Sequence, residues 1–109
     1  MWRQVQIELP AEVANDTTSI WQYDDVVQVG IMRRSFLRPP VLWAQVLHAG
    51  LRNLRRAKIM LDDLQTQLVM PIVYAETLHD APANQAFLEF IGFEELPEKY
   101  ERKLYQRSI

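Results

Sequence analysis

The 109-residue sequence contains no cysteine. That absence excludes disulfides, thiolate metal sites and cysteine nucleophiles together, so the fold has to rest on packing. Histidine is nearly as scarce. His48 and His79 lie far apart, and one carboxylate, Glu76, stands at ligand-like spacing three residues before His79, which is too little for a zinc site. No stretch approaches the roughly 20 apolar residues of a membrane span. MWRQVQIELP, at the start, lacks an apolar core of signal-peptide length. The expected location is the cytoplasm, or a particle assembled there.

Acidic residues are missing from a long central stretch. None occurs between Asp25 and Asp62, where Arg33, Arg34, Arg38, Arg52, Arg55, Arg56 and Lys58 all fall. From Asp62 to Glu101 the sign inverts, with nine carboxylates set against Lys99 alone. The net charge of −2 hides this division. Three readings stay open: a solvated basic face, pairing between the two halves, or a phosphate-bearing ligand on the basic side.

What is present suits one core. Hydrophobic residues make up 49% of the chain and charged residues 24%, ordinary values for a globular protein. The length predicts a single domain over residues 1–109.

Arg3 to Leu9 alternates Val5, Ile7 and Leu9 against Gln4, Gln6 and Glu8, the period of a half-buried strand ended by Pro10. AEVANDTT follows as a loop or one turn of helix. Ser19–Tyr23 and Val26–Arg33, with Asp24-Asp25 between them, read as a hairpin, and Gly30 marks a bulge or a close backbone approach. Val41–Leu47, VLWAQVL, is an apolar run expected at the centre of a sheet, buried on both faces.

From Gly50 to Leu68 the apolar positions Leu51, Leu54, Ala57, Leu61, Leu64 and Leu68 recur at helical spacing. The first turns of this helix carry cations, opposite to what the helix dipole favours, at a cost of roughly a few tenths of a kcal/mol per charge. That arrangement suits an anion at the helix start. Val69–Thr77 reads as a second buried strand, Ala83–Ile91 as a helix capped by Gly92, and Tyr100–Ser108 as a last strand. Two buried strands joined by a long helix predict a parallel pair with a crossover, and the early hairpin predicts an antiparallel half. The expected fold class is α/β, a mixed sheet with helices on it.

The succession VLWAQVL, RNLRRA opening a helix, MPIVYAET and NQAFLEFIGF resembles the C-terminal part of the GNAT family of N-acetyltransferases, from about Val26 to the end. In that family a Gln/Arg-x-x-Gly-x-Gly/Ala loop and the helix after it hold the pyrophosphate of coenzyme A, as helix starts hold other anions. The resemblance places Arg52 at the first motif position, Arg55 at the middle glycine and Ala57 at the last, with Arg56 beside them; Asn84, Ala86, Gly92 and Phe93 match a second motif. It therefore implies cofactor contacts at Arg52, Arg55, Arg56, Ala57 and Asn84.

The family's general-acid tyrosine falls at Leu88, so the proton donor for the leaving thiolate is missing. Tyr74 and Glu76 are the remaining catalytic candidates. Family members build the acceptor-amine site from helices after the first strand, where AEVANDTT offers about one turn. A short chain with an R-x-x-R-R-A segment is also similar to GNAT-like proteins that tailed bacteriophages encode, some of them carried in the virion.

The resulting expectation is a catalytically degenerate GNAT-like protein serving a structural or accessory role. Partner chains or self-association would cover an exposed sheet edge. The alternative is an active N-acetyltransferase using acetyl-CoA. Nucleic acid is not expected, because Trp21, Trp43 and Tyr23 read as core or sheet-face residues rather than a stacking platform.

Overall fold

The computed structural model describes residues 1–34, 37–48, 50–77, 80–97 and 102–109. His79 and the start of the expected last strand, at Tyr100, lie outside them.

A seven-stranded sheet runs in the order β1-β2-β3-β4-β5-β7-β6. Its strands are β1 (Trp2–Val5), β2 (Thr17–Tyr23), β3 (Val27–Met32), β4 (Val41–Val46), β5 (Ile72–Thr77), β6 (Glu94–Glu95) and β7 (Lys103–Ser108). Helix α1 (Ala11–Ala14) follows β1, α2 (Leu51–Gln67) links β4 to β5, and α3 (Pro82–Phe90) follows β5. β4 and β5 are parallel and all other neighbours antiparallel. The mixed α/β sheet expected from the sequence, with its antiparallel N-terminal half and crossover helix, is the one observed. No described helix is long and apolar enough to cross a membrane.

Alternation along the strands decides the two faces of the sheet. One face carries Trp2, Val29, Ile31, Leu42, Val73 and Tyr105, which cluster with Met60, Leu61 and Leu64 of α2 and with Ile91 after α3. Trp2 anchors the edge strand to this layer: its indole N–H donates to Met60 O at 2.7 Å, and its ring meets Tyr23 edge-on.

Several boundaries differ from the sequence reading. β1 stops at Val5, paired with Ile20, rather than at Leu9; just beyond, between Thr17 and Ser19, β2 shifts register against β3. No bulge sits at Gly30; the close approach does, since a Cβ built there would fall inside the Trp43 indole. β4 is not buried throughout: Val41 and Leu42 are, but Ala44, Gln45 and Val46 are exposed. β5 starts at Ile72, not Val69, and alternates exposed Ile72 and half-buried Tyr74 with buried Val73 and Ala75.

Val69 belongs to the end of α2. Its N–H donates to Thr66 O and that of Met70 to Gln65 O, the paired bonds of a Schellman cap. Gly92 and Phe93 close α3 on Glu89 and Leu88 in the same way. The two caps differ in their left-handed residue: Gly92 has φ 100, whereas Val69, β-branched and 83% exposed, has φ 53. A β-branched side chain is strained in that region. Val69→Gly is expected to raise stability by about 1 kcal/mol, read as a higher midpoint in thermal unfolding; an unchanged or lower midpoint would contradict the assignment.

Tyr105, fully buried on β7, has a hydroxyl with no hydrogen-bond partner among the described residues. Burial first, and the charge of Glu95 second, raise its phenol above 10.0. The folded chain thus holds this proton to higher pH than the unfolded chain, so stability is intact below pH 10 and falls as the pH climbs past it. Tyr105→Phe is expected to remove that alkaline loss and to add about 1 kcal/mol at neutral pH, by deleting an unpaired buried group. Urea melts at neutral and alkaline pH check both parts.

Candidate functional site

β4 and β5 form a fork. They share one register position, Val41 with Tyr74, reinforced by Tyr74 N–H donating to Pro40 O at 2.8 Å. Beyond it β4 stays paired with β3 as far as Val46, and β5 with β7 as far as Thr77. The facing edges of the two strands, past Val41 and Tyr74, are left without each other. A parallel pair that separates toward its C-terminal ends creates the crevice in which open α/β sheets bind ligands.

The start of α2 sits at the open end of this fork, after Leu47–Gly50. Leu54 N–H donates to Gly50 O at 2.9 Å, and no side chain caps the helix. The N–H groups of Leu51, Arg52 and Asn53 precede that bond, so they are the orphan donors of the first turn. A Cβ built at Gly50 meets nothing within 4 Å, so the approach to these donors is open. Asn53 steadies the entry by donating its amide to His48 O, while His48 places Nδ1 2.8 Å from Asp25 O.

An apolar groove of about 440 Å³ runs from this point between α2, the sheet and α3. Ala44 and Val46 of β4, Leu51, Leu54 and Ala57 of α2 and Phe87 of α3 line it.

Of the residues expected to contact a cofactor, Ala57 alone lines this groove. Arg52, Arg55 and Arg56 lie in the first two turns of α2, so the segment aligned with the phosphate loop is helical here. Beyond the first turn, backbone N–H groups are spent on intrahelical bonds, so Arg55, at the glycine's position, offers only its exposed guanidinium. Arg56 turns toward Tyr23, with its guanidinium carbon 6.0 Å from the ring centroid. Asn84 is exposed on the first turn of α3. Leu88, at the expected tyrosine position, packs against the core.

Tyr74 and Glu76 project from the other face of the sheet, where they line a separate cavity of about 630 Å³. Glu76 accepts a 2.6 Å bond from Arg34, whose Nε also lies 3.5 Å from Asp16. The Arg34–Glu76 pair joins the basic stretch to the acidic one, which is one of the three readings the charge division left open. The sequence reading missed Gly50, Asn53, Val46 and Phe87.

No model of a known protein family matches the sequence, and no curated protein matches it significantly. Solved structures do match the fold. An acetyltransferase from Agrobacterium tumefaciens superposes with a TM-score of 0.60 at 17% identity, over 84% of this chain and 60% of that one. A spermidine N-acetyltransferase chimera from Vibrio cholerae and hSSAT gives 0.65 at 15% identity, over 87% and 68%. A GNAT-family acetyltransferase from Staphylococcus aureus gives 0.56 at 21% identity, over 86% and 69%. The chain thus spans less than two thirds of the length of the Agrobacterium protein. Its seven-stranded mixed sheet, forked between β4 and β5 with a helix starting at the fork, is the GNAT acetyltransferase fold.

Proposed function

We propose that this chain is a catalytically degenerate GNAT-fold protein that acts as a structural or accessory interaction protein, of the kind that tailed bacteriophages encode and in some cases carry in the virion. The observation that carries the reading is Leu88, a hydrocarbon side chain packed against the core where the resemblance calls for a phenol to protonate the leaving thiolate. Glu76 adds support. A general base needs a free carboxylate, and this one is held 2.6 Å from the Arg34 guanidinium.

The fork favours a second reading, acetyl transfer from coenzyme A to an amine. The first-turn N–H groups of Leu51, Arg52 and Asn53 suit the pyrophosphate, with Arg52 and Arg55 beside them on α2. The unpaired edge of β4 suits an amide-bearing arm, and the groove beside Ala57 suits its apolar length. When bound, coenzyme A would supply the activated thioester. The chain's own residues would orient it and exclude water.

Calorimetric titration of acetyl-CoA, with Arg52→Ala and Arg55→Glu alongside and a thiol-release assay on mixed amines, separates the two readings. The degenerate reading expects no thiol release above the uncatalysed rate, together with a solution mass above that of the 12.8 kDa chain. Sustained release that both variants depress would overturn it in favour of the transferase. Absence of binding at millimolar acetyl-CoA would remove the transferase reading.

A further inference from the structure

We propose that the outer face of α2 docks a second copy of this chain, whose own α2 lies antiparallel across it with Ile59 of both protomers at the two-fold axis. This contact rests on the interaction role proposed above and gives that role a surface and a partner.

Helical spacing defines the face. Residues three and four apart share one side of a helix, so Arg55, Arg56, Asp62 and Asp63 gather around Ile59, while Leu61 and Leu64 point to the core on the opposite side. Ile59 is 69% exposed, and the four charged residues beside it are exposed as well. A lone exposed isoleucine is ordinary on a protein surface. Its setting is what distinguishes this one.

Charge changes sign at Ile59. The half of α2 before it carries Arg52, Arg55, Arg56 and Lys58 and no carboxylate, whereas the half after it carries Asp62 and Asp63 and no cation. Arg56 and Asp62 stand one turn to either side of Ile59, and Arg55 and Asp63 do the same. A helix of this order is complementary to itself when reversed. In an antiparallel pair, Arg55 and Arg56 of one protomer meet the partner's Asp62 and Asp63, and the two-fold axis repeats each contact. A parallel copy would set arginine against arginine. Charges flanking an apolar seam fix the orientation of coiled-coil helices in the same manner.

Two of these side chains are already held in place. Asp62 lies 2.8 Å from Arg107 Nη2 yet keeps 59% of its side chain exposed, and Arg56 reaches the Tyr23 hydroxyl at 3.4 Å. Such positioning lowers the entropy lost on association. The groove beside α3 is lined from the core side of α2, by Leu54, Ala57 and Leu61, so a second copy on the outer face leaves it open. One helix against one helix buries less than a standard interface, and exposed charge pairs are screened by salt. The dimer is therefore weak and salt-sensitive.

Sedimentation equilibrium from micromolar to millimolar protein tests the contact. At low salt the mass should climb from that of the 12.8 kDa chain toward twice that value, and molar salt should weaken association about tenfold. Ile59→Asp should abolish it. Arg56→Glu and Asp63→Arg should each weaken it about tenfold, whereas an equimolar mixture of the two variants should associate as the wild type does, because each introduced charge then meets its opposite. All three positions are exposed, so the variants should keep thermal midpoints close to that of the wild type. A monomer at millimolar protein, a dimer that Ile59→Asp leaves intact, or a mixture that fails to recover association would each overturn the α2 contact. The interaction role is decided separately: a dimer held elsewhere, without thiol release, would preserve it, and sustained thiol release would remove it whatever the mass.

Discussion

Arg107→Met is expected to lower the unfolding free energy by about 3 kcal/mol. Arg107 is 5% exposed, and every nitrogen of its guanidinium is occupied. Nε donates to Ile91 O at 2.8 Å, Nη1 to Gln65 Oε1 at 2.7 Å and Nη2 to Lys58 O at 3.0 Å, with Asp62 also 2.8 Å from Nη2. One side chain from β7 thus ties together α2 and the end of α3. Methionine fills much of the volume but leaves Gln65 Oε1 and two carbonyls without their donor, and orphaned buried acceptors are costly.

Adding Gln65→Leu should restore part of the loss by removing one orphan. Recovery stays incomplete, because Gln65 Nε2 also donates to Met70 O and Arg107 O. Urea unfolding of the two variants measures both effects, and a loss below about 1 kcal/mol for Arg107→Met would show the network to be dispensable. Gly92 belongs to the same arrangement: a Cβ there would stand 3.3 Å from Nε, at a φ that only glycine adopts freely.

Gly30→Val is expected to cost a similar amount, about 3 kcal/mol, by overpacking. Gly30 faces Trp43 across the β3/β4 ladder, and the indole lies over the glycine in the space a side chain would take. Displacing it breaks more than one contact. The indole N–H donates to Thr17 Oγ1 at 3.1 Å, and that hydroxyl donates to Val13 O at 2.6 Å, so Trp43 holds α1 through β2. The variant should therefore lose stability and also change the tryptophan emission, with Gly30→Ala intermediate. A native spectrum and a loss within about 0.5 kcal/mol would mean that the ring has another place to go.

The helix of residues 51–67 was readable because its stripe depends only on local spacing, and Gly92 because a glycine after an apolar helix is a stop signal. The features that make the site depend on distant partners. VLWAQVL reads as uniformly buried, yet Ala44 and Val46 are exposed in a strand that β5 joins only at Val41. Nothing in the strand's own composition records that pairing. Arg107 sits in an alternating strand as any surface arginine would, and its burial follows from acceptors at positions 58, 65 and 91. Val69 hid the end of α2, since a valine there continues the apolar run into β5. The resemblance found the fold and the helix that faces the fork. It aligned the anion loop with residues 52–57, which are helical here, so that only Arg52 and Asn53 among them keep a backbone N–H free of the helix's own bonds.

The single pairing of β4 with β5 also bears on how the molecule opens. β1 to β4 form a continuous antiparallel meander of near neighbours in sequence, and β5, β7 and β6 form a second ladder. Between the ladders the described backbone of the sheet contributes one register position and the Tyr74–Pro40 bond; side chains beneath α2 and the Arg34–Glu76 pair on the other face add to the connection. Such a seam divides a sheet into two cooperative units that can release their amide protons separately. The ladder of local hairpins is the one that topology allows to form first. Amide protons of β5 and β7 should then exchange through a different opening event from those of β2 and β3, and a ligand wedged in the fork would slow both to a common rate.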